Sequence, residues 1–509
     1  MNTIGRIWEE SLQRYKELPA VRWLEGKTVK ERSYQELGDD IIAVRKGLAA
    51  AGFHGAHIAL IGTASISWIT AYLGITTGDN VAVPLDAGLP AEDLLELLDR
   101  ADAQALFLSP KGMALLPLVR EKCHKIREIW ILQEEASDQA DTITTLKQSA
   151  PSETGIAASG PDDIATIIYT SGTTGKSKGV MLTQANMANN VVSVPYTTDP
   201  GTVLLSVLPV HHAFCLVMDW LKGFSLGSVL CINDSFIHMV RNMSIFKPDV
   251  MLMVPMMIEI LYKRLAAADP SIPPQVLAEK VFGGNLKIIF TGGAHLDPFY
   301  IEKLEAYGVS VLEGYGMSEC SPVISNNMPE NHKAGSIGKP LPNAEVRISE
   351  DGEILVRGSS VMKCYYKMPE ETAETLKDGW LHTGDKGYLD EDGFLFINGR
   401  VKNLIILSNG ENVSPEEIEN KIALNPLVRE VIVTGESNGL TARIYPDQDV
   451  IQVKGLSADM VKAALQEVLD SYNKNQPTYR QLTGLVVRQN PFIRNATGKI
   501  VRRHAEVDE

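Results

Sequence analysis

The sequence is poor in the features that mark secreted and nucleic-acid-binding proteins. Its 509 residues hold five cysteines, with no C-x-x-C pair and no cysteine–histidine metal spacing, which argues against a disulfide framework. Basic residues number 48 against 63 acidic ones, a formal net charge of −15. An acidic surface does not bind nucleic acid or anionic membrane non-specifically. We therefore expect reduced thiols in a cytoplasmic protein without a nucleic-acid partner.

The chain also lacks an uninterrupted apolar segment that is long enough to span a membrane. The strongest candidate, residues 203–232, is interrupted by Pro209, His211, His212, Asp219 and Lys222. A spanning helix of about 20 residues would bury these groups in lipid. The first ten residues reach two acids before any apolar region, so a secretory signal is not expected. We predict no transmembrane segment and place residues 203–232 in a protein core.

The composition, 44% hydrophobic and 22% charged, is that of a globular protein. Helical patterns alternate with short apolar strands, at 57–61, 81–85, 105–108, 164–169, 203–208, 250–254, 286–290 and 309–312. This alternation is typical of βαβ units and predicts an α/β fold with mixed or parallel sheets. Ligands of such sheets bind outside the carboxyl ends of the strands. We therefore expect the chemistry in the turns that follow the strands.

The pattern changes twice along the chain. From about residue 345 it consists of short strand-like segments, which predict a small β-rich subdomain. After residue 400 it returns to an α+β texture, with helical patterns at 414–423 and 457–471. We predict a large N-terminal domain, residues 1–399, and a small mobile α+β domain, residues 400–509. No low-complexity linker separates them, so a hinge is expected at residues 400–403.

Residues 169–180, YTSGTTGKSKGV, carry the most informative pattern and follow the apolar run 164–168. Three glycines, several hydroxyl side chains and two lysines supply the donors and cations that an oligophosphate requires. The segment contains G-K-S, but Thr170 stands where a Walker A motif needs its first glycine, so a P-loop NTPase is excluded on spacing. The alternative is a solvated surface loop, which Ser, Thr and Gly clusters usually indicate.

This segment resembles the phosphate-loop signature of the adenylate-forming superfamily of acyl-CoA synthetases, peptide-synthetase adenylation domains and luciferases. Six further motifs follow in the family's order: LPVHHAF at 208–214, TGGA at 291–294, GYGMSE at 314–319, GWLHTGD at 379–385, the hinge region at 399–403 and 409–419, and NATGKI at 495–500. The ordered set of seven spans nearly the whole chain. The likeness is strongest to long-chain fatty acyl-CoA ligases.

The resemblance implies an enzyme of the acid–thiol ligase class that uses ATP, Mg²⁺ and coenzyme A. It assigns Glu319 to Mg²⁺, a hard cation that prefers oxygen ligands. Tyr315 is expected to stack on adenine, and Asp385 to bind the ribose hydroxyls with help from Arg400. The nucleotide-binding set implied is Thr170, Ser171, Gly172, Thr173, Thr174, Gly175, Lys176, Lys178, Gly293, Ala294, Tyr315, Gly316, Ser318, Asp385 and Arg400.

Three residues receive separate roles from the resemblance. Lys499 bridges the substrate carboxylate and the α-phosphate during adenylation, although a solvated lysine is the usual fate of this residue type. Lys402 occupies the hinge position of the small domain. His212 lies between the carboxylate site and the thiol route, where a gating or substrate-contact role is favoured over a general base. A satisfied core histidine is the alternative, and His211 is the weaker candidate.

The sequence departs from the family at Ser177, Gln184 and Ser318, and none of these changes removes a required charge or hydroxyl. Amino-acid-activating relatives carry an aspartate after the Leu-Pro segment, whereas residues 211–215 contain no acid and Asp219 is the first downstream. Because a buried ammonium needs a partner, we expect a carboxylic acid without an amine, a medium or long fatty acid. Loading of an acyl carrier protein and nucleotide binding without turnover are the alternatives.

Overall fold

The structure is a computed structural model that describes residues 3–151, 153–170, 177–269, 271–407, 412–436, 439–494 and 500–507. The chain forms two compact units. The first comprises Met1–Val346 and Val356–Leu381, and the second comprises Arg347–Leu355 and His382–Glu509. The domain boundary predicted between residues 399 and 400 stays a prediction.

The strands of the first two sheets and of the later β-rich region follow in chain order. They are β1 (Pro19–Glu25), β2 (Thr28–Ser33), β3 (His57–Ile61), β4 (Val81–Leu85), β5 (Ala105–Leu108), β6 (Glu128–Ile131), β7 (Ile164–Thr170), β8 (Lys178–Thr183), β9 (Val203–Ser206), β10 (Val229–Ile232), β11 (Val250–Met253), β12 (Ile288–Thr291), β13 (Ser310–Gly316), β14 (Val323–Asn326), β15 (Lys339–Pro340), β16 (Ala344–Ile348), β17 (Glu353–Gly358), β18 (Cys364–Tyr365), β19 (Leu376–Lys377), β20 (Trp380–Leu389), β21 (Leu395–Arg400), β22 (Ile405–Ile406), β23 (Asn412–Val413), β24 (Val428–Glu436), β25 (Gly439–Pro446) and β26 (Leu482–Val487).

The α-helices are α1 (Ile4–Tyr15), α2 (Tyr34–Ala50), α3 (Ile66–Thr76), α4 (Ala91–Arg100), α5 (Leu116–Lys122), α6 (Ile143–Ser149), α7 (Gln184–Ser193), α8 (Lys222–Ser225), α9 (Met239–Phe246), α10 (Pro255–Ala266), α11 (Pro274–Phe282), α12 (Pro298–Glu305), α13 (Pro369–Thr375), α14 (Pro415–Ala423), α15 (Gln448–Lys454) and α16 (Ala458–Asn473). A π-helical segment, Phe214–Leu221, precedes α8. No helix in the described part of the chain is long and apolar enough to cross a membrane.

The first unit contains two large sheets with helices around them. The nine-stranded sheet has the order β15-β14-β13-β12-β11-β9-β10-β1-β2, and the seven-stranded sheet has the order β18-β8-β7-β4-β3-β5-β6. Strands β9 to β13 run parallel to one another within the first sheet, and β3 to β6 do so within the second, whereas β14 is antiparallel to β13. The predicted α/β fold with parallel and mixed sheets is confirmed.

Local sequence explains where several elements begin. Ser33 caps α2 in the predicted capping box, because its hydroxyl accepts from the backbone N–H of Glu36 while the Glu36 carboxylate accepts from the backbone N–H of Ser33. Helix α4 begins directly after Pro90, and β3, β4 and β5 have the predicted bounds. Their side chains are almost wholly buried, as continuous apolar runs in parallel sheets are.

The later part of the chain forms smaller sheets. The region predicted as β-rich from about residue 345 folds into a five-stranded sheet, β16-β17-β20-β19, with β21 on β20. The second unit contains the three-stranded sheet β24-β25-β26, whose apolar face packs with α14 and α16 in one core. Arg488, which is 1% exposed, donates to the backbone carbonyls of Asn490, Ala505 and Val507. Its guanidinium therefore ties the final described segment to the end of β26.

The π-helical segment carries a buried acid in the core of the first unit. Residues 203–232 fold into β9, this segment, α8 and β10, so the predicted core assignment is confirmed. The Asp219 carboxylate accepts from Ser206 at 3.0 Å and from the Cys215 thiol at 3.7 Å, while its Oδ1 has no hydrogen-bond partner among the described residues. Burial raises the pKa of this carboxyl to about 7.

The raised pKa of Asp219 makes stability depend on pH. In the unfolded chain Asp219 ionises near its ordinary pKa of 3.8, and in the folded protein it ionises near 7. The contribution of the protonated carboxyl to the free energy of unfolding is therefore fully present below about pH 4 and is lost as the pH rises through 7. In the wild type this loss of unfolding free energy reaches up to about 4 kcal/mol by pH 8, and the variant Asp219→Asn should not show it. Urea unfolding from pH 4 to 8 measures it, with Asp199→Asn, at an exposed position between α7 and β9, as the control. A wild-type pH slope in Asp219→Asn would contradict the assignment.

Candidate active site

Three turns that follow parallel strands meet at one edge of the nine-stranded sheet. The parallel register pairs Met253 of β11 with Thr291 of β12, and Thr291 with Glu313 of β13. Strand β9 lies beside β11 in the same direction. Because the strands run parallel, the turns after β9, β12 and β13 lie at their carboxyl edge, where ligands of open α/β sheets bind. These turns carry His212, Gly293 with Ala294, and Ser318 with Glu319.

Two glycines at this edge have a structural reason for their identity. A Cβ at Gly316 would come within 2.1 Å of the Pro322 carbonyl oxygen, so only glycine fits at the end of β13. Gly293 has a φ of +82°, which glycine adopts without strain. Tyr315, which directly precedes Gly316 in β13, is 8% exposed. Close packing therefore explains the glycine at 316, and the positive φ explains the glycine at 293.

The backbone around Glu319 is held from two sides. Glu319 lies in the short 3₁₀ helix Ser318–Cys320. The side chain of Asn190, from α7, donates to the carbonyls of Cys320 and Val323 and accepts from the backbone N–H of Val323. The carbonyl of Glu319 itself accepts from the backbone N–H of Met362 at 2.7 Å. These bonds place the carboxylate on a fixed turn.

The predicted phosphate loop connects two antiparallel strands. Thr170 at the end of β7 pairs with Lys178 at the start of β8. The predicted residues Ser171, Gly172, Thr173, Thr174, Gly175 and Lys176 lie outside the described residues. On the described side, Arg100 of α4 donates to the Ser177 carbonyl at 2.6 Å and lies 5.8 Å from the Tyr169 ring centroid. Both flanks of the loop therefore contact one guanidinium.

Two of the predicted site residues meet on a third side chain, Tyr365. The Tyr365 hydroxyl donates to Glu319 Oε1 at 2.7 Å, and Lys178 Nζ lies 4.6 Å from the centroid of the Tyr365 ring. Burial, and after it the charge of Glu319, raises the pKa of Tyr365 well above its ordinary value. The phenol is therefore protonated at neutral pH and acts as a donor to the carboxylate.

Tyr365 is the residue that the sequence interpretation missed. It lies in β18, 46 positions after Glu319 in the chain, and no spacing rule connects the two. The available signal was the pair Tyr365 and Tyr366 after the β-rich segment begins, since a buried tyrosine needs a hydrogen-bond partner.

The surroundings of Glu319 suit Mg²⁺ bound together with substrate phosphates better than a metal ion whose ligands all come from the protein. The described residues contain no group of three or more His, Cys, Asp or Glu side chains placed to hold a metal ion. Mg²⁺ commonly binds through one or two carboxylates and takes its remaining ligands from water and substrate phosphates. A single carboxylate such as Glu319, 8% exposed and linked through Tyr365 to Lys178 at the start of β8, matches that requirement.

The two histidines after β9 have different surroundings. Their ring centroids lie 4.2 Å apart, with His212 exposed and His211 largely enclosed. Burial, together with the neighbouring His212, lowers the pKa of the His211 imidazole to about 4. His211 is therefore neutral at pH 7, although Asp86 lies 3.8 Å from its Nε2. The exposed position of His212 is the one compatible with contact to a substrate.

In the second unit, Asp385 and Arg400 are neighbours. They pair across β20 and β21, and Arg400 Nε lies 3.0 Å from Asp385 Oδ1. Lys402 lies in the short 3₁₀ turn Val401–Asn403 that follows β21. The structure thus brings together two of the second unit's predicted residues on adjoining strands.

Lys499 lies outside the described residues, but its flanks are described. The backbone N–H of Phe492 and the guanidinium of Arg494 both donate to the Glu430 carboxylate, at 2.8 and 2.6 Å. Arg494 forms an antiparallel bridge with Ile500. The two ends of the segment that contains Lys499 are therefore joined to each other and to β24.

Comparison with known proteins finds acid–CoA ligases. The long-chain-fatty-acid–CoA ligase FadD15 of Mycobacterium bovis is 28% identical over 449 residues, 79% of this chain and 75% of the relative. The oxalate–CoA ligase of Arabidopsis thaliana is 28% identical over 470 residues, 88% of this chain and 87% of the relative. The crystal structure of ATP-bound MatB from Rhodopseudomonas palustris covers 100% of both chains at 25% identity, with a TM-score of 0.81.

Two family profiles account for most of the sequence. The profile of the AMP-binding enzymes matches residues 8–366, and that of the AMP-binding enzyme C-terminal domain matches residues 402–508. The predicted resemblance is confirmed, and so is the expected enzyme class, an AMP-forming acid–thiol ligase. The chain belongs to the family of AMP-binding enzymes.

Proposed function

We propose that this protein activates a medium- or long-chain fatty acid with ATP and Mg²⁺ and transfers the acyl group to coenzyme A. The observation that carries the proposal is the meeting of Lys178 and Glu319 on Tyr365, beside the phosphate-type loop of an AMP-binding enzyme. A cation and a metal-binding carboxylate at one place are what transfer of a nucleotidyl group requires. The names of the relatives, which include long-chain-fatty-acid–CoA ligases, support the same class.

The reaction has two steps that balance without another reactant. In the first, a carboxylate oxygen of the fatty acid attacks the α-phosphorus of ATP, and the bond to the β-phosphate oxygen breaks with its electron pair leaving on pyrophosphate. In the second, the coenzyme A thiolate attacks the acyl carbonyl carbon, and AMP leaves with the electron pair of the broken C–O bond. The thiol proton passes to solvent.

The first unit supplies charge and shape for adenylation. Lys178 and Lys176 bind phosphate oxygens, and Thr170 to Gly175 with Ser318 donate hydrogen bonds to them. Gly293 and Ala294 admit the adenine to the backbone, and Tyr315 with Gly316 forms the surface on which it stacks. Mg²⁺ held by Glu319 would neutralise the negative charge that develops on the phosphates.

The second unit supplies the ribose contact and the lysine of the first step. Asp385 accepts from the ribose hydroxyls, and the neighbouring Arg400 adds a charge-assisted contact. Lys499 bridges the carboxylate and the α-phosphate. Movement about Lys402, with residues 400–509 as the mobile domain, then opens the acyl-adenylate to the thiol, and exposed His212 contacts the substrate on that route.

The surroundings of Asp219 favour an acid without an amine. An amino-acid substrate would need an ionised carboxylate for its ammonium. Residues 211–215 contain none, and Asp219 is fully buried and bonded to Ser206 and Cys215. His211, whose lowered pKa leaves the imidazole neutral at pH 7, supplies no negative charge for an ammonium either. We place the enzyme in the cytoplasm, since fatty acids are activated there with ATP and coenzyme A at hand.

Pyrophosphate release over a panel of acids tests the substrate. We expect ATP-dependent release with medium- or long-chain fatty acids and little with amino acids, and mass analysis should find acyl-CoA when coenzyme A is present. The panel includes oxalate and aromatic acids as matched controls. If thioester forms only on a supplied carrier protein, the acceptor is that carrier protein and not coenzyme A. Absence of pyrophosphate release with every fatty acid would contradict the proposal.

The variant Lys499→Ala separates catalysis from nucleotide binding. Because the ammonium acts on charge that develops in the adenylation step, its loss should lower fatty-acid-dependent pyrophosphate release by at least about 100-fold. The Kd for ATP should change little. The control is Lys462→Ala, at an exposed position of α16, which should behave as the wild type. Unchanged pyrophosphate release in Lys499→Ala would favour a nucleotide-binding protein without turnover.

A further inference from the structure

Tyr365 lies in a short strand that pairs with β8, the strand that follows the predicted phosphate loop. Its short strand β18 pairs antiparallel with β8, so that Tyr365 faces Val180 and Cys364 faces Met181. The backbone N–H of Tyr366 donates to the Gly179 carbonyl at 2.7 Å. The position of Tyr365 is thus set by the same hairpin that carries Lys178.

The other end of the Tyr365 side chain is fixed by Glu319. Both residues are nearly buried, at 4% and 8% exposure, and a buried carboxylate needs a donor. Within the described part of the chain, the Tyr365 hydroxyl is the only hydrogen-bond donor to the Glu319 side chain, and it binds Oε1. One carboxylate oxygen therefore carries a hydrogen bond, whereas the second, Oε2, receives none from the described residues and is the freer of the two to bind a metal ion.

A hydrogen bond to one carboxylate oxygen favours a metal ion that needs only the other oxygen. Ca²⁺ accepts about six to eight oxygen ligands and often binds both oxygens of a carboxylate, whereas Mg²⁺ demands octahedral geometry and binds one. A hydrogen bond to the non-ligating oxygen also fixes the orientation of the carboxylate, as partners behind metal ligands generally do. The phenol therefore has a role that its burial alone does not require.

The ring of Tyr365 adds a second link. Lys178 Nζ lies over its face at 4.6 Å, within the range of a cation–π contact. The hydroxyl and the face of one ring thus contact the acid and the cation of the site. Substitution by phenylalanine separates the two contacts, because it removes the hydroxyl and keeps the ring.

We propose that Tyr365 is a positioning residue that holds Glu319 for one-oxygen coordination of Mg²⁺ and thereby favours Mg²⁺ over Ca²⁺. The proposal rests on the function proposed above, since it takes Mg²⁺ with ATP as the ligand. Tyr365 does not touch the reacting atoms and acts through Glu319. Through the pairing of β18 with β8, it also fixes the position of Glu319 relative to Lys178.

The test measures binding of α,β-methylene-ATP by titration calorimetry, with Mg²⁺, with Ca²⁺ or with a chelator. No acid or coenzyme A is present, so the readout does not depend on turnover. In Tyr365→Phe, the gain in affinity that Mg²⁺ provides should fall about tenfold, as for other residues behind metal ligands. The metal-free Kd should stay as in the wild type, and the preference for Mg²⁺ over Ca²⁺ should shrink.

The neighbouring tyrosine provides the matched control. The hydroxyl of Tyr366 donates to Asp102, not to Glu319, so Tyr366→Phe should keep the wild-type gain from Mg²⁺. A second variant, Glu319→Gln, should lose that gain, and the double variant with Tyr365→Phe should lose no more than Glu319→Gln alone, because both act through one group.

The outcomes distinguish this proposal from the proposed function. A wild-type response of Tyr365→Phe to Mg²⁺ and Ca²⁺ would overturn the positioning role alone. Equal weakening of metal-free and Mg²⁺-dependent binding would assign Tyr365 to the fold and overturn it as well. If the wild type binds the analogue neither with nor without Mg²⁺, both the proposed function and the positioning role fail.

Discussion

The hydrogen bond from Tyr365 to Glu319 connects the two parts of the first unit on which the site depends. It links β18, which pairs with β8 in the seven-stranded sheet, to the turn after β13 of the nine-stranded sheet. Asn190 fixes the backbone of that turn, and Arg100 contacts both flanks of the hairpin loop. The acid and the cation of the site therefore keep one relative position because buried contacts hold each of them.

The charge of the protein makes this arrangement necessary. A chain with a net charge of −15 has to bind ATP, a polyanion, without a generally positive surface. Residues 400–509 contain 14 basic and 14 acidic side chains, so the acidity belongs to residues 1–399. The proposed function draws its positive charge from Lys176 and Lys178 of the loop and from Arg400, Lys402 and Lys499 later in the chain. The acidic composition thus argues only against non-specific polyanion binding.

The sequence predicted the fold well where single segments determine it. Strands β3 to β5 and helix α4 follow from apolar runs and a starting proline, and the capping box of Ser33 is a local feature. The contact between Tyr365 and Glu319 joins segments 46 residues apart, and only the tertiary fold brings them together. Gln184, singled out as a departure from the family, is buried and bonds to Ile4 and Thr76, which no local pattern indicates.

The central claim is that the acid is activated as an acyl-adenylate, and the path of its oxygen tests this most directly. A fatty acid labelled with ¹⁸O in both carboxylate oxygens is converted with ATP, Mg²⁺ and coenzyme A, and the products are analysed by mass spectrometry. The account predicts one ¹⁸O in each AMP, because the attacking oxygen stays on the α-phosphorus when the thiol displaces it. AMP without label, or label in inorganic phosphate formed with ADP, would contradict it.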